Sequence, residues 1–200
     1  AYFCRSWAHE NLNSHDHALE DAKHYLRLNP TSASAHIHVG NRWIGKKEYD
    51  IAVKEYDEAI RLNPASATAY FNRALAKKRK GNIDAAIADY TSAIRCDGDY
   101  VNAYTNRANL FHHKKREYDK AIADCNSAIR LDPNDATTYD LRGLAYLWKH
   151  EYEKAISDLS EAIRINPKYV IPYGRRASVF EKLGKLEQAL ADYNTTVRID

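Results

Sequence analysis

Ala-Ile-Arg-Leu-Asp-Pro, at residues 128–133, is a hexapeptide that returns along the whole chain in close variants. Other variants begin at Tyr25, Ala59, Ala93 and Ala162, and a truncated one begins at Thr196. Successive variants lie 34 residues apart, except for one step of 35 between the copies at Ala93 and at residue 128. A fixed period of this length is typical of stacked supersecondary units, so it predicts the architecture before any single residue is interpreted.

Further columns keep the same period and indicate two helices in each copy. An aromatic residue or His comes first, a small residue follows four positions later, and an Ala stands 16 or 17 positions after the aromatic. The aromatic column is Tyr2, His36, Tyr70, Tyr104, Tyr139 and Tyr173, and the Ala column is Ala18, Ala52, Ala86, Ala121, Ala155 and Ala189. Such spacings are helical, and Pro or Gly ends the second stretch. Small residues let the two helices approach closely while larger side chains fill the space beside them.

These columns resemble the tetratricopeptide repeat, and the resemblance covers essentially the whole chain. It implies an all-α fold, a right-handed superhelical solenoid of antiparallel helix pairs with twelve helices. We expect a single array over residues 1–200, with repeats at approximately 1–32, 33–66, 67–100, 101–135, 136–169 and 170–200. The fourth copy has one extra residue, which we place at Arg116 or a neighbour, between its two helices. No polar capping helix follows the last copy, so we expect an excised array or one that stacks end to end.

Composition and charge argue against several classes of protein. The net charge of +3 is too mild to indicate nucleic acid by itself. No apolar run approaches the roughly 18 residues that span a bilayer, and the chain does not start with a signal-peptide pattern. Cys4, Cys96 and Cys125 are scattered and odd in number, which favours reduced thiols and a cytoplasmic location.

Five of the six copies carry an Arg three residues after the aromatic, where the family usually has an apolar residue. Each of these copies also has an Asp in its second helix, whereas the second copy has Val39 together with Glu55. Because the acidic residue follows the Arg from copy to copy, we interpret them as structural ion pairs between helices rather than as ligand contacts. The predicted pairs are Arg5–Asp21, Arg73–Asp89, Arg107–Asp124, Arg142–Asp158 and Arg176–Asp192.

The resemblance also implies where a ligand binds, because in this family the first helices line a concave groove. The groove-facing columns lie two, five, eight and nine residues after the aromatic. Their Asn residues are the most informative, since an amide offers a donor and an acceptor to an extended peptide backbone of any sequence. The arrays of O-linked glycosyltransferases use such a ladder. The predicted peptide-binding residues are Asn41, Asn72, Asn106, Asn109, His38, Lys78, Arg79, Leu141, Leu144, Trp148 and Arg175.

Two features of these columns leave alternatives open. Leu141, Leu144 and Trp148, with Leu147, either hold a hydrophobic anchor of the ligand or, for Trp148, pack against the next repeat. Chaperone-binding members grip a C-terminal carboxylate with basic groove residues, but Ile37, Asn102 and Asn106 stand in those places here. We therefore do not expect a chaperone tail as the ligand.

Basic runs at residues 77–80 and 114–116 lie near the ends of first helices, where cations interact favourably with the helix dipole. No nucleophile–base pair, Gly-rich phosphate loop or metal-ligand spacing appears outside the structural columns, so we predict no enzyme activity, no cofactor and no metal. We predict a non-catalytic protein–protein interaction scaffold that binds an extended peptide or a partner's helix. The alternatives are a substrate-recruiting or self-assembling segment of a larger protein, such as an enzyme, and, less favoured, a nucleic-acid-binding helical array. We expect no membrane partner.

Overall fold

The computed structural model describes residues 15–199, which are helical throughout apart from short turns. The α-helices are α1 His15–Leu28, α2 Ala33–Gly45, α3 Tyr49–Leu62, α4 Ala67–Arg79, α5 Ile83–Cys96, α6 Val101–Leu110, α7 Tyr118–Leu131, α8 Ala136–Trp148, α9 Tyr152–Ile165, α10 Val170–Lys182 and α11 Leu186–Ile199, and a π-helical turn spans Phe111–Lys115. Within this range there is no strand, and no helix is long and apolar enough to cross a membrane. The predicted all-α fold is therefore confirmed for these residues, while the first helix of the first copy lies outside them.

Capping and turn residues explain where the helices begin and end. The side chains of Ser32, Ser66 and Asp135 occupy the same position before α2, α4 and α8, and each accepts a hydrogen bond from a backbone N–H of the first turn. From the second copy to the sixth, the turn between the two helices contains one residue in the left-handed region. These residues are Lys47, Gly81, Arg116, His150 and Gly184, with φ between 54° and 84°.

The small residues of the repeat allow the two helices of each pair to approach closely. Ala52, Ala86 and Ala121 are fully buried, as is the larger side chain one turn later, for example Tyr56 or Tyr90. A buried Ala recurs at this position in every copy within the described residues, so the core is a series of similar layers between paired helices.

The chain forms two compact units, whose boundary lies between Ala103 and Tyr104. In the first unit α2 packs against α3 and α4 packs against α5. In the second unit the π-helical turn contacts α7, α8 packs against α9, and α10 packs against α11. Each pair corresponds to one copy of the sequence period, and the single array over residues 1–200 stays a prediction.

The extra residue of the fourth copy lies at the end of its first helix. In that copy the left-handed residue Arg116 comes 12 positions after Tyr104, whereas Gly81 comes 11 positions after Tyr70. The π-helical turn takes up the difference, because a π turn adds one residue while keeping the helix hydrogen-bonded. The position of the insertion therefore differs from the one expected between the two helices.

Candidate functional site

The four Arg–Asp pairs within the described residues share one geometry. In the third copy, Arg73 Nε and Nη2 donate to the two carboxylate oxygens of Asp89 at 2.8 and 2.7 Å. Arg107–Asp124, Arg142–Asp158 and Arg176–Asp192 repeat this two-bond arrangement, with distances of 2.7–2.8 Å. Each Asp is buried, and the Arg opposite it supplies the two hydrogen bonds and the compensating charge that such a site needs. Arg5, the proposed partner of Asp21, lies outside the described residues.

Three of these Arg side chains also reach back to the preceding repeat, which the sequence pattern did not reveal. Arg73 Nη1 donates to Asp57 at 2.6 Å, Arg142 Nη1 to Asn126 at 2.7 Å, and Arg176 Nη1 to Ser160 at 2.8 Å. Although burial opposes its charge, the bonds to Asp89 and Asp57 keep the pKa of Arg73 above its ordinary value. These three Arg side chains therefore link their own repeat to the preceding one.

In the second copy, Val39 stands at the position that Arg occupies in the other copies. Val39 is 1% exposed and packs with Leu19 and Ala22 of the preceding helix. Glu55, which replaces the Asp, lies 2.8 Å from Nδ1 of His36, the residue that stands in the aromatic column. Replacing the Arg by an apolar residue thus coincides with a new partner for the acidic side chain.

Asn41 and Asn72 lie on neighbouring first helices and are hydrogen-bonded to each other. Asn72 Nδ2 donates to Asn41 Oδ1 at 3.0 Å, and the hydroxyl of Tyr56 donates to the same oxygen at 2.7 Å. Both Asn side chains are half-buried, whereas Tyr56 is fully buried. The buried Tyr56 hydroxyl therefore fixes the orientation of the Asn41 amide, and through it that of Asn72. Sequence reasoning placed both Asn residues but missed Tyr56, although a Tyr in a buried column indicates a hydroxyl that needs a partner.

The next repeat has the same tyrosine position without the acceptor. Tyr90 is fully buried, and its hydroxyl has no hydrogen-bond partner among the residues that the structure describes. Leu75 stands in the column that Asn41 occupies one repeat earlier. On the same side of α4, Lys78 is half-buried and Arg79 is exposed. Burial lowers the pKa of Lys78, and the positive charge of Arg79 lowers it further.

Several residues predicted to contact a ligand are buried instead. Leu141 and Leu144 are only 8% and 9% exposed, and Leu141 belongs to a core cluster with Ala108 and Cys125. His38 is 6% exposed. Neighbouring helices therefore cover these three side chains, and Leu141 packs against the preceding repeat rather than facing a ligand.

The remaining predicted residues of the second unit differ in exposure. Trp148 is 57% exposed, and its ring stacks on Tyr118 of the preceding repeat with a centroid distance of 6.3 Å and an angle of 12°. Asn106 and Asn109 are half-buried on α6. The four leucine and tryptophan positions therefore do not form one continuous apolar surface.

Arg175 belongs to a polar cluster whose other members the sequence did not reveal. Its Nη1 donates to Asp140 Oδ2 at 2.5 Å, and the Tyr169 hydroxyl donates to the same oxygen at 2.8 Å. Asp140 is 3% exposed, and burial raises its pKa in spite of these two partners. Nearby, burial and the charges of His113 and Arg175 lower the pKa of His112 to about 4, so this imidazole is neutral at neutral pH.

Comparison with family models finds the tetratricopeptide repeat along most of the chain. A model described as TPR repeat matches residues 40–81, and two described as tetratricopeptide repeat match residues 74–136 and 136–169. A search of curated proteins finds no match.

Solved structures with the same fold cover most of this chain. A tetratricopeptide repeat protein from Parabacteroides merdae is 18% identical, with a TM-score of 0.80 over 100% of this chain and 78% of that one. MamA from Desulfovibrio magneticus is 16% identical, with a TM-score of 0.78 over 84% and 94%. YrrB, described as a TPR protein with an unusual peptide-binding site, is 18% identical, with a TM-score of 0.76 over 90% and 92%. At these identities the similarity establishes the fold alone.

Proposed function

Since the chain belongs to the tetratricopeptide-repeat family, whose members generally serve as protein–protein interaction modules, we propose that it binds an extended peptide segment of a partner protein. The binding surface is the first-helix face, defined as the side of α2 and α4 that carries Asn41, Asn72, Leu75, Lys78 and Arg79. The hydrogen-bonded pair of Asn41 and Asn72 is the observation that carries the proposal.

This amide pair offers the two groups that a peptide backbone needs. Asn41 Oδ1 is occupied by Tyr56 and Asn72, which leaves Asn41 Nδ2 as a donor and Asn72 Oδ1 as an acceptor with no partner among the described residues. A peptide unit in extended conformation presents one C=O and one N–H, so it is complementary to this pair. Because Tyr56 holds Asn41 in place before the ligand arrives, little side-chain entropy is lost on binding.

Arg175 and the Asn residues of α6 extend the proposal to the second unit, where they remain candidate contacts. Of the predicted ligand-contacting residues, Leu141, Leu144 and His38 are set aside because they are buried. YrrB is described as binding peptide, and this supports the class of ligand but does not identify it.

The test is a selection of random peptides displayed on phage against the whole protein, followed by calorimetry with the best binder. Asn41→Ala and Asn72→Ala are expected to weaken binding roughly tenfold each, because each removes a hydrogen bond made in a partly desolvated site. Asn82→Ala is the matched control, since Asn82 is exposed and its side chain caps nothing.

A second version of the selected peptide identifies which part of it is recognised. Replacing single backbone N–H groups by ester oxygens is expected to reduce affinity at one or two positions, while side-chain exchanges there have smaller effects. If Asn41→Ala and Asn72→Ala bind the selected peptide as tightly as the wild type, the proposal is wrong.

Self-association is a second candidate, favoured by one apolar surface. On α11, Leu186, Leu190 and Val197 are 67%, 61% and 79% exposed. One repeat earlier, Ile156 occupies the position of Leu190 and packs against Ala177 and Phe180 of the following repeat. Light scattering over a concentration series, for the wild type and for Leu190→Lys, tests this candidate. The mass of the monomer at every concentration in the wild type would rule it out.

A further inference from the structure

We propose that Arg175 is a subsite for an uncharged carbonyl oxygen of the bound peptide, and that Asp140 is the residue that positions Arg175 and turns carboxylates away. The inference deepens the proposed function and rests on it. It comes from three observations, which are the hydrogen bonds that Arg175 makes, the residues that fill the same place in another repeat, and the balance of charge around the guanidinium.

Arg175 uses a different part of its guanidinium from the structural Arg column. In a structural pair, Nε and Nη2 donate together to both oxygens of an Asp, as they do from Arg176 to Asp192 at 2.8 and 2.7 Å. Arg175 donates only through Nη1, to one oxygen of Asp140. Its Nε and Nη2 are not enclosed and have no partner among the described residues, and the side chain is 27% exposed. The edge that forms the structural pairs is therefore open at Arg175 and can donate two parallel hydrogen bonds.

The stacking of repeats does not require the buried carboxylate beside Arg175. Asp140 stands one position after the aromatic column and accepts from the Tyr169 hydroxyl, which precedes the first helix of the next repeat. Two repeats earlier, Phe71 and Tyr100 occupy the same two positions and pack with their ring centroids 4.9 Å apart. An apolar residue therefore suffices at this position for contact between repeats.

The hydrogen bonds of Asp140 also distinguish it from the structural column. Its Oδ2 accepts from both Arg175 and Tyr169, while its Oδ1 is buried without a hydrogen-bond partner among the described residues. Such a half-satisfied buried carboxylate is costly for stability, whereas each structural Asp has both oxygens bonded. What Asp140 contributes is the position of Arg175, whose guanidinium is held before a ligand arrives and loses little side-chain entropy on binding.

The balance of charge decides which acceptor the open edge prefers. Burial raises the pKa of Asp140, but Arg175 and the Tyr169 hydroxyl oppose this rise and favour the carboxylate form. Arg175 and Asp140 together then carry no net charge, and the neighbouring His112 is neutral at neutral pH. A carboxylate of the ligand is attracted by Arg175 but repelled by Asp140, whereas a carbonyl oxygen meets no such repulsion. The subsite therefore favours main-chain carbonyls or side-chain amides over Asp and Glu.

The test uses three matched pools of short fluorescent peptides that are amidated at the C-terminus. The neutral pool contains Asn and Gln, the acidic pool has Asp and Glu in their places, and the alanine pool has Ala there, so that its acceptors are main-chain carbonyls. Fluorescence anisotropy gives the affinity of each pool for the whole protein. The ratio of the acidic to the neutral affinity is compared between variants, because basic residues elsewhere affect this ratio equally in all of them.

Asp140→Asn tests the preference, because it keeps an acceptor for Arg175 and Tyr169 but removes the charge. It is expected to shift the ratio roughly tenfold towards the acidic pool. A purely structural role of Asp140 would change the melting temperature and leave the ratio as it is. Glu153→Gln makes the same change of net charge at an exposed position of α9 and is the control, for which no shift is expected.

Arg175→Lys tests the open edge, because lysine keeps a positive charge beside Asp140 but cannot donate two parallel hydrogen bonds. It is expected to weaken binding of the neutral pool roughly threefold to tenfold. In the double variant Arg175→Gln with Asp140→Asn, which leaves no unpaired buried charge, the shift towards the acidic pool is expected to disappear. Asn72→Ala is expected to weaken the neutral and acidic pools equally.

The outcomes distinguish this inference from the proposed function. If Asp140→Asn leaves the ratio unchanged and Arg175→Lys binds like the wild type, the subsite is wrong, while peptide binding stands as long as Asn72→Ala weakens it. If no pool binds the wild type, both proposals fail together. If the wild type prefers the acidic pool and Arg175→Lys or Arg175→Gln removes that preference, the acceptor is a carboxylate and the inference is overturned. Where the inference holds, the alanine pool separates the two sources, since its binding equals that of the neutral pool for a main-chain carbonyl and is weaker for a side-chain amide.

Discussion

In the second repeat the Tyr56 hydroxyl donates to Asn41, while in the third repeat the equivalent hydroxyl of Tyr90 has no acceptor among the described residues. The two repeats also differ at the Arg column, where Val39 stands in one and Arg73 in the other. Both repeats form the same helix pair, so the fold tolerates either solution. The comparison therefore separates what each position contributes to stability from what it offers to a ligand.

A small residue explains part of the difference at the tyrosines. A Cβ atom at Gly40 would lie 2.6 Å from Cε1 of Tyr56, so the ring occupies space that only glycine leaves open. The third repeat has Ala74 in this column. With a methyl group there, the ring of Tyr90 cannot lie as close to the first helix. Gly40 therefore helps to bring the Tyr56 hydroxyl to Asn41.

The largest difference between the repeats is expected at the Arg column. Arg73→Ala leaves the buried carboxylate of Asp89 with Lys77 as its remaining charged partner, so we expect a loss of about 3 kcal/mol in the free energy of unfolding. Glu55→Gln in the second repeat is expected to cost clearly less, because the Glu55 carboxylate is more exposed than that of Asp89, 23% against 6%. Urea denaturation measures both. Equal losses would show that the Arg column carries no special structural role.

Gly40→Ala is expected to have the next largest effect. Alanine is ordinarily the better helix former by about 1 kcal/mol, but the new methyl group must displace the Tyr56 ring, so we expect a net loss of about 2 kcal/mol. The control is Gly174→Ala in α10, where nothing lies within 4 Å of the added Cβ and a gain in stability is expected. A gain at both positions would mean that the Tyr56 ring moves freely.

The tyrosine exchanges are expected to have opposite signs. Tyr56→Phe removes a hydrogen bond to Asn41 and is expected to cost about 1 kcal/mol. Tyr90→Phe removes a buried hydroxyl without a partner and is expected to leave stability unchanged or raise it by up to about 1 kcal/mol. Thermal denaturation of the two variants in parallel measures the difference, and a similar loss in both would show that Tyr90 has an acceptor in solution.

The smallest effect is expected when the acceptor is moved into the third repeat. Leu75→Asn gives the Tyr90 hydroxyl a possible acceptor in the column of Asn41, at the expense of some apolar contact. Comparing Leu75→Asn in the presence and absence of Tyr90→Phe isolates the interaction, which we expect to be about 0.5 kcal/mol favourable. A coupling energy of zero would show that the hydroxyl does not point to this column.

The sequence period predicts most of the fold but fewer features of the candidate site. The repeated Ala and aromatic columns predict the helix pairs because burial recurs with the same spacing. The covariation of Arg with Asp indicates which side chains meet, but not that Arg73 also reaches Asp57 in the preceding repeat. Helix spacing identifies a face but not how far neighbouring helices cover it, which is why Leu141 and Leu144 were expected on a surface and are buried. The cluster around Asp140 could not be predicted from the repeated columns, because an Asp stands at this position in one copy only.

The most direct test of peptide binding by the first-helix face follows the side-chain amides by nuclear magnetic resonance. The NH₂ signals of Asn41, Asn72 and Asn82 are assigned by mutation and recorded while the selected peptide is added. The account predicts that the signals of Asn41 and Asn72 shift together and saturate with the calorimetric affinity, while those of Asn82 stay in place. Tight binding of the peptide without any shift of Asn41 and Asn72 would contradict it.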